Sequence, residues 1–179
     1  MPRDLHRTAP AGLPGPHGDG QTANMVHPIT RLTTPLGPWM VGFDGDGVLN
    51  RVSVCPRTPP DDLPALDEDH PVARALAAYF AGDLTATDVL PVALSGTPFQ
   101  VRTWQVLRTI PPGTTWTYAQ LALAVGSVPR AVGAANGANR VAVVVPCHRV
   151  VGAGGALVGY AGGLEMKRRL LRHEGALLL

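Results

Sequence analysis

The sequence predicts a mixed α/β chain of the α+β kind, divided into two parts. Three features predict it. Short β-like runs (HPITRLTT, PWMVGFD and VLNRVSV) crowd the first half between turn signals. One amphipathic helix pattern follows them. The second half then carries two helix-start signatures in succession, each a threonine followed three residues later by a glutamine. At 179 residues and 45% hydrophobic content, the chain can bury the core of one larger domain or of two small ones that share an interface.

Charge divides the chain at the same place. Residues 1–95 hold six Arg against eleven Asp or Glu, a net of −5. Residues 96–179 hold eight Arg and one Lys against two Glu, a net of +7. A basic half beside an acidic one fits a polyanionic partner, and it also fits an ordinary solvated basic face. The two cysteines, Cys55 and Cys147, are too few for a disulfide framework, and their spacing matches no zinc pattern. No apolar run reaches transmembrane length and the first residues lack a signal-peptide core, so a cytoplasmic protein without a membrane partner is expected.

In chain order, residues 1–26 are rich in Gly, Pro and His without periodicity and read as a disordered tail. A first domain is expected over 27–92. Its β-like runs are separated by PLG and DGDG, both hairpin turn signals. Asp44 and Asp46 resemble the start of a calcium loop, but the remaining ligands are absent, which leaves a turn. PRTPPDDLPALDEDH is a polar connection. In PVARALAAYFAG, Val72, Ala75, Leu76, Tyr79 and Phe80 fall on one helical face, and Gly82 closes the helix.

A second domain is expected over 93–179. Thr97 is the expected N-cap of its first helix, with Pro98 at N1 and Gln100 completing a capping box. Val101, Trp104 and Leu107 form the buried stripe, and Pro111, Pro112 and Gly113 stop the helix. Thr117 and Gln120 open a second helix over roughly 118–125, which Gly126 ends. Ser127 is the expected cap of a third, carrying Arg130, Ala131, Val132, Ala134 and Ala135. Two short helices joined by a tight turn make a helix-turn-helix pattern, used both for DNA binding and as an ordinary helical hairpin. VAVVV (141–145) reads as a buried strand. GAGGALVGYAGG has the wrong spacing for a nucleotide loop. The basic helix LEMKRRLLRHEG closes the chain, with Leu164 and Leu171 expected to face inward.

The chemistry concentrates at PCHR. Cys55, in VSVC, reads as a small hydrophobe. Cys147 differs, because a proline precedes it and His148 and Arg149 follow, and cations favour a thiolate. On an extended chain, adjacent side chains point to opposite sides, which disfavours a direct Cys–His dyad. His148 can instead act through a water, with Glu174 orienting it from the last helix.

PCHRV, preceded by GTPFQ…W…L…IPPGTTWTYAQLA and RAVGAANGAN and followed by GYAGG…K…LLRHEG, resembles the O6-alkylguanine-DNA alkyltransferases, also called methylated-DNA–protein-cysteine methyltransferases. The likeness runs almost continuously over about residues 96–175 and is weaker before that. It implies a small ribonuclease-H-like N-terminal domain and a winged-helix-like C-terminal domain containing the helix-turn-helix. It implies repair of O6-alkylguanine in double-stranded DNA, with O4-methylthymine a further substrate, by irreversible and stoichiometric transfer to Cys147 after base flipping.

The resemblance also distributes roles. Cys147 is the acceptor, with His148 and Glu174 its water-mediated relay. Asn139 is the brace, and Tyr118 assists guanine departure. Arg130 is the finger that fills the place of the flipped base, beside Thr117, Ala131, Gly133 and Ala134 on the DNA side. The pocket takes Val150, Tyr160, Ala161 and Gly162, with the carbonyls of Cys147 and Val150 reading the base. A monomer needing no cofactor is implied, associated with the nucleoid if the source is bacterial. Some family members carry a structural zinc in the first domain, but no metal-ligand cluster stands out there in this sequence. The chain departs from the family pattern in a shorter stretch between Tyr118 and Arg130 with Pro129 before the finger, in Arg140 where proline is usual, and in Ala161 where some members have serine. Two rival readings are a lesion-binding sensor without chemistry and a helix-turn-helix regulator. The first lacks an acceptor cysteine in its class, and the second has no effector domain here.

Overall fold

The structure, a computed structural model, describes residues 29–54 and 63–176. The tail expected over 1–26, Cys55 and much of the proline-rich connection lie outside the described residues. What is described is a mixed α/β arrangement of two small sheets and five α-helices.

The N-terminal part is an antiparallel meander of β1 (Ile29–Thr34), β2 (Gly37–Phe43) and β3 (Leu49–Val54) in that order. Alternation along β2 turns Trp39, Val41 and Phe43 to the core, where Leu49 and Val52 of β3 join them. The DGDG turn is closed by Asp44, whose Oδ1 accepts from the amides of Asp46 and Val48 at 3.0 and 2.8 Å. Helix α1 (Pro71–Phe80) covers the sheet with Val72, Ala73, Leu76 and Tyr79. Ala75 and Phe80, expected on that stripe, are half-buried at its edge.

In the C-terminal part, α2 (Pro98–Leu107) starts at the Thr97–Gln100 capping box. It buries Thr103, Trp104 and Leu107, and Trp104 Nε1 donates to the Ala135 carbonyl at 2.8 Å. Leu107 is fully buried, and its truncation to Ala is worth about 2–5 kcal/mol. The helix ends at Leu107, before the prolines expected to stop it. Strand β4 (Trp116–Thr117) leads into α3 (Tyr118–Val125) through the second capping box. Gly126, at φ 71°, ends α3 in the left-handed conformation that glycine adopts without strain.

The cap of α4 (Pro129–Gly137) corrects an expectation. Val128, not Ser127, is the N-cap residue, and no side chain caps the helix. Pro129 at N1 holds the preceding residue in the extended region, and Val128 obeys at φ −114°, ψ 152°. The segment 141–145 corrects another. It is buried but turned rather than extended, with Val143 at φ 70°. Asn139 makes the turn: its Nδ2 donates to the Val145 carbonyl and its Oδ1 accepts from the Val141 amide, both at 2.9 Å. A β-branched residue at positive φ costs about 1–3 kcal/mol, which this clamp offsets. Valines signal burial here, while a neighbouring amide decides the backbone path.

Val141 bridges in parallel to Val52 of β3, joining the two parts of the chain. Beyond it, a 3₁₀ turn at Cys147–Arg149 leads into β5 (Val150–Val151), parallel to β4. Helix α5 (Leu164–His173) buries Lys167, Leu170 and Leu171. Leu164, expected to face inward, is exposed at its first turn. Among the described residues no helix is long and apolar enough to cross a membrane.

Candidate active site

Cys147 sits at the first position of the 3₁₀ turn, 7% exposed. It lines a cavity of about 290 Å³ together with Tyr118, Gly133, Asn136, Gly137, Asn139, Gly159, Tyr160 and Ala161. The walls thus come from the start of α3, from α4, from the Asn139 turn and from the glycine-rich loop before α5. Burial pushes the Cys147 thiol up, and the Asn139 amide and the Lys167 charge offset only part of that. The resting thiol is therefore neutral at physiological pH.

The cation expected to favour a thiolate is engaged elsewhere. Arg149 turns its buried guanidinium to Glu174, with Nε donating to Oε2 at 2.9 Å and Nη2 to Oε1 at 2.8 Å. Its Nη1 donates to the Ile110 carbonyl. This bidentate grip fixes the carboxylate that follows α5. Gly113, at φ 74°, approaches the same place, where an added Cβ would lie 3.1 Å from the Glu174 carbonyl.

His148 is fully buried, and its Nε2 lies 2.9 Å from Glu174 Oε1. A carboxylate only accepts, so Nε2 carries the proton and Nδ1 holds the lone pair. Nδ1 has no hydrogen-bond partner among the described residues. Burial holds the His148 pKa down, against the pull of Glu174. Burial also opposes charge on Glu174, but the hydrogen bonds from His148 and Arg149 prevail and keep its carboxyl well below the usual range. The result is a neutral imidazole whose Nδ1 lone pair is buried and free, oriented by a permanent anion. The expected opposite orientation of Cys147 and His148 rested on an extended chain. The chain is a 3₁₀ turn here, and what turns His148 to one side is Glu174.

Three further residues complete the site without having announced themselves in the sequence. Lys167 is buried and donates to the carbonyls of Val150 and Val158 at 2.6 and 2.7 Å; burial brings its pKa down to about 8. Asn136 Nδ2 donates to the Cys147 carbonyl at 3.3 Å and to Tyr118 Oη at 3.4 Å. Tyr79 of α1 donates to Glu174 Oε1 at 2.7 Å. Helical periodicity marked Tyr79 only as inward-facing, Lys167 stood in the motif without a role, and Asn136 was not singled out. Among the described residues no group of His, Cys, Asp and Glu could hold a metal ion.

The remaining expected residues fall in three places. Tyr118, Asn139, Tyr160 and Ala161 line the cavity, and the Tyr160 hydroxyl is buried without a partner among the described residues. Gly162 lies behind Cys147 in a smaller cavity of about 70 Å³. Val150 is buried in β5 outside the larger cavity, and its carbonyl takes Lys167. On α4, Arg130, Ala134 and Gly137 are exposed at positions i, i+4 and i+7, one face of the helix, while Ala131 and Gly133 are half-buried beside it. The Thr117 hydroxyl is occupied in its capping box with Gln120.

Comparisons with known proteins converge. A family model described as 6-O-methylguanine DNA methyltransferase, DNA binding domain, matches residues 98–176. A methylated-DNA–protein-cysteine methyltransferase of Mycobacterium leprae is 42% identical over 155 residues, 84% of this chain and 93% of its own length. One of Salmonella typhimurium is 58% identical over 106 residues, 58% of this chain; the match spans only 62% of that relative. Among solved structures, Mycobacterium tuberculosis OGT in complex with DNA superposes with a TM-score of 0.72 at 38% identity, covering 83% of this chain and 92% of that one. O6-methylguanine-DNA methyltransferase from Pyrococcus kodakaraensis superposes at 0.62 with 25% identity, covering 82% and 98%.

Proposed function

This chain belongs to the methylated-DNA–protein-cysteine methyltransferase family, and on that premise we propose that it repairs DNA by transferring the alkyl group of O6-alkylguanine irreversibly to Cys147. The observation that carries the proposal is the pairing of two features: a neutral thiol on the wall of a base-sized cavity, and behind it a buried His148–Glu174 couple.

The chemistry follows from the site. The Cys147 proton leaves through a water to His148 Nδ1, and Glu174 stabilises the imidazolium that forms. The thiolate attacks the alkyl carbon, so a C–S bond forms as the C–O6 bond breaks. The electron pair returns to guanine, which takes a proton with help from the Tyr118 hydroxyl. Burial holds that hydroxyl protonated, since it raises the Tyr118 pKa. Tyr160, Ala161 and Gly162 shape the pocket, and Ala161 offers no hydroxyl to O6. Of the two carbonyls implied to read the base, that of Val150 already takes Lys167 and that of Cys147 takes the Asn136 amide, the longer contact of the two. No cofactor enters these steps. The thioether has no leaving group, so one molecule performs one transfer.

The partner is double-stranded DNA, met by the helix-turn-helix of α3 and α4. Arg130 enters the stack from the exposed face of α4, and small residues let the backbone approach, as base flipping requires. Thr117 acts by starting α3, and Ala131, Gly133 and Ala134 by their size. The finer architecture is a ribonuclease-H-like domain over 27–92 and a winged-helix-like domain over 93–179. The protein acts as a monomer in the cytoplasm.

Intact mass spectrometry after incubation with an O6-methylguanine duplex tests the reading. Each protein molecule should gain one methyl group on Cys147 while the DNA reverts to guanine. Turnover by substoichiometric protein, or binding without a mass gain, overturns it.

A further inference from the structure

The buried oxygen that holds His148 is shared between the two parts of the chain. Glu174 Oε1 receives His148 Nε2 at 2.9 Å, Arg149 Nη2 at 2.8 Å and Tyr79 Oη at 2.7 Å. Tyr79 is the shortest of the three contacts, and it comes from α1, outside residues 98–176 that match the family model. Its placement is fixed from several sides. The ring is fully buried and meets Phe80 edge-on at 5.1 Å and His173 at 5.0 Å. Its backbone carbonyl lies 2.8 Å from His173 Nε2.

We propose that Tyr79 is a positioning residue for alkyl transfer: its hydroxyl completes the donor set on Glu174 Oε1 and so makes α1 a working part of the Cys147–His148 relay. This rests on the functional reading above.

The physical reason is competition for one anion. Each donor that shares the carboxylate charge leaves less of it for His148. Burial, and then Glu174 itself, raise the Tyr79 pKa far above the ordinary phenol range, so Tyr79 is a permanent donor. Removing its oxygen leaves Glu174 a stronger acceptor toward His148 and favours the imidazolium. The groups that bear on this couple are Tyr79 from α1, Arg149 from the 3₁₀ turn, Lys167 and His173 from α5, and Cys147 and Tyr160 from the cavity wall. None of the others changes in Tyr79→Phe, which keeps the ring and its packing.

The test is Tyr79→Phe in the full chain, read in two ways. His148 is titrated by NMR of its ring nitrogens, and single-turnover transfer from an O6-methylguanine duplex is measured against pH. The wild-type transfer is measured first: its absence counts against the functional reading, while the NMR titration still decides the role of Tyr79. The expected result is that the His148 midpoint and the acid limb of the rate profile rise together by about half a pH unit or more. Unchanged or lowered midpoints, with or without a fall in melting temperature, overturn the proposal and reduce Tyr79 to packing.

Discussion

The cluster around Glu174 and the exposed face of α4 are both built for charge, yet by opposite means. Around Glu174, three buried polar side chains (Tyr79, His148 and Arg149) each bond its buried carboxylate. On α4, Arg130 stands in solvent above Ala134 and Gly137. The first region fixes a proton acceptor before any substrate arrives. The second leaves an open face of small residues, the one the proposed function gives to DNA. Chemistry and fold are therefore inseparable in the first region and separable in the second.

The largest effect should come from Cys147→Ser. The change is nearly isosteric, but a hydroxyl is too weak an acid for a neutral imidazole to ionise and a poor nucleophile toward an alkyl carbon. Transfer should fall by a factor on the order of a thousand or more. DNA binding and melting temperature should hold, as gel shift and calorimetry would record.

Glu174→Gln should blur chemistry and fold together. It strands the buried guanidinium of Arg149 and removes the anion that orients His148. Loss of one partner of a buried pair costs about 3–5 kcal/mol. Melting temperature should drop by roughly 10 °C, with transfer slowed in the protein that remains folded. A variant as stable as wild type would mean that Arg149 finds another acceptor.

Arg130→Ala should separate them. The thiol and its relay are untouched, so reaction with free O6-benzylguanine should persist and melting temperature should not move. Transfer in duplex DNA should slow by roughly 10- to 100-fold, since re-stacking of the base regains a few kcal/mol. Equal losses on both substrates would instead assign Arg130 to the fold.

The smallest effect is a pH dependence confined to the buried region. The His148 pKa is lowered by burial, so between the unfolded value near 6.5 and the lower folded one only the unfolded chain binds the proton. Stability is then full above that unfolded value and falls with pH below it, by up to about 1.4 kcal/mol per unit. The depressed carboxyl of Glu174 adds a second loss at more acidic pH, below the ordinary carboxylate range. Urea midpoints from about pH 7 down to about pH 2.5 would record both. A flat profile would mean that His148 charges without cost.

Legibility followed the range of each interaction. Both capping boxes, the αL end of α3 at Gly126 and the three-strand meander were read from short windows, because their causes lie within a few residues. The buried turn at 141–145 was misread as a strand. Its cause is the Asn139 amide spanning both ends, and valine periodicity does not report it. Ser127 looked a better cap than Val128 by residue type, but the proline after Val128 set the backbone. At the site, Cys147, His148 and Glu174 stood out by chemistry and by family resemblance, while Tyr79 looked like an ordinary core position and Asn136 was not singled out.

By itself the sequence determined the mixed α/β order of elements, the basic second half and the PCHR segment with Glu174 downstream. Those properties are carried by local backbone preference and residue chemistry. Only the tertiary structure decided that Arg149 serves Glu174 instead of the thiol, that the Cys147 thiol rests neutral, and that a tyrosine 95 positions before Glu174 shares its carboxylate. Proton affinity depends on burial and on which donors reach one oxygen, and both are fixed by packing among residues far apart in the chain.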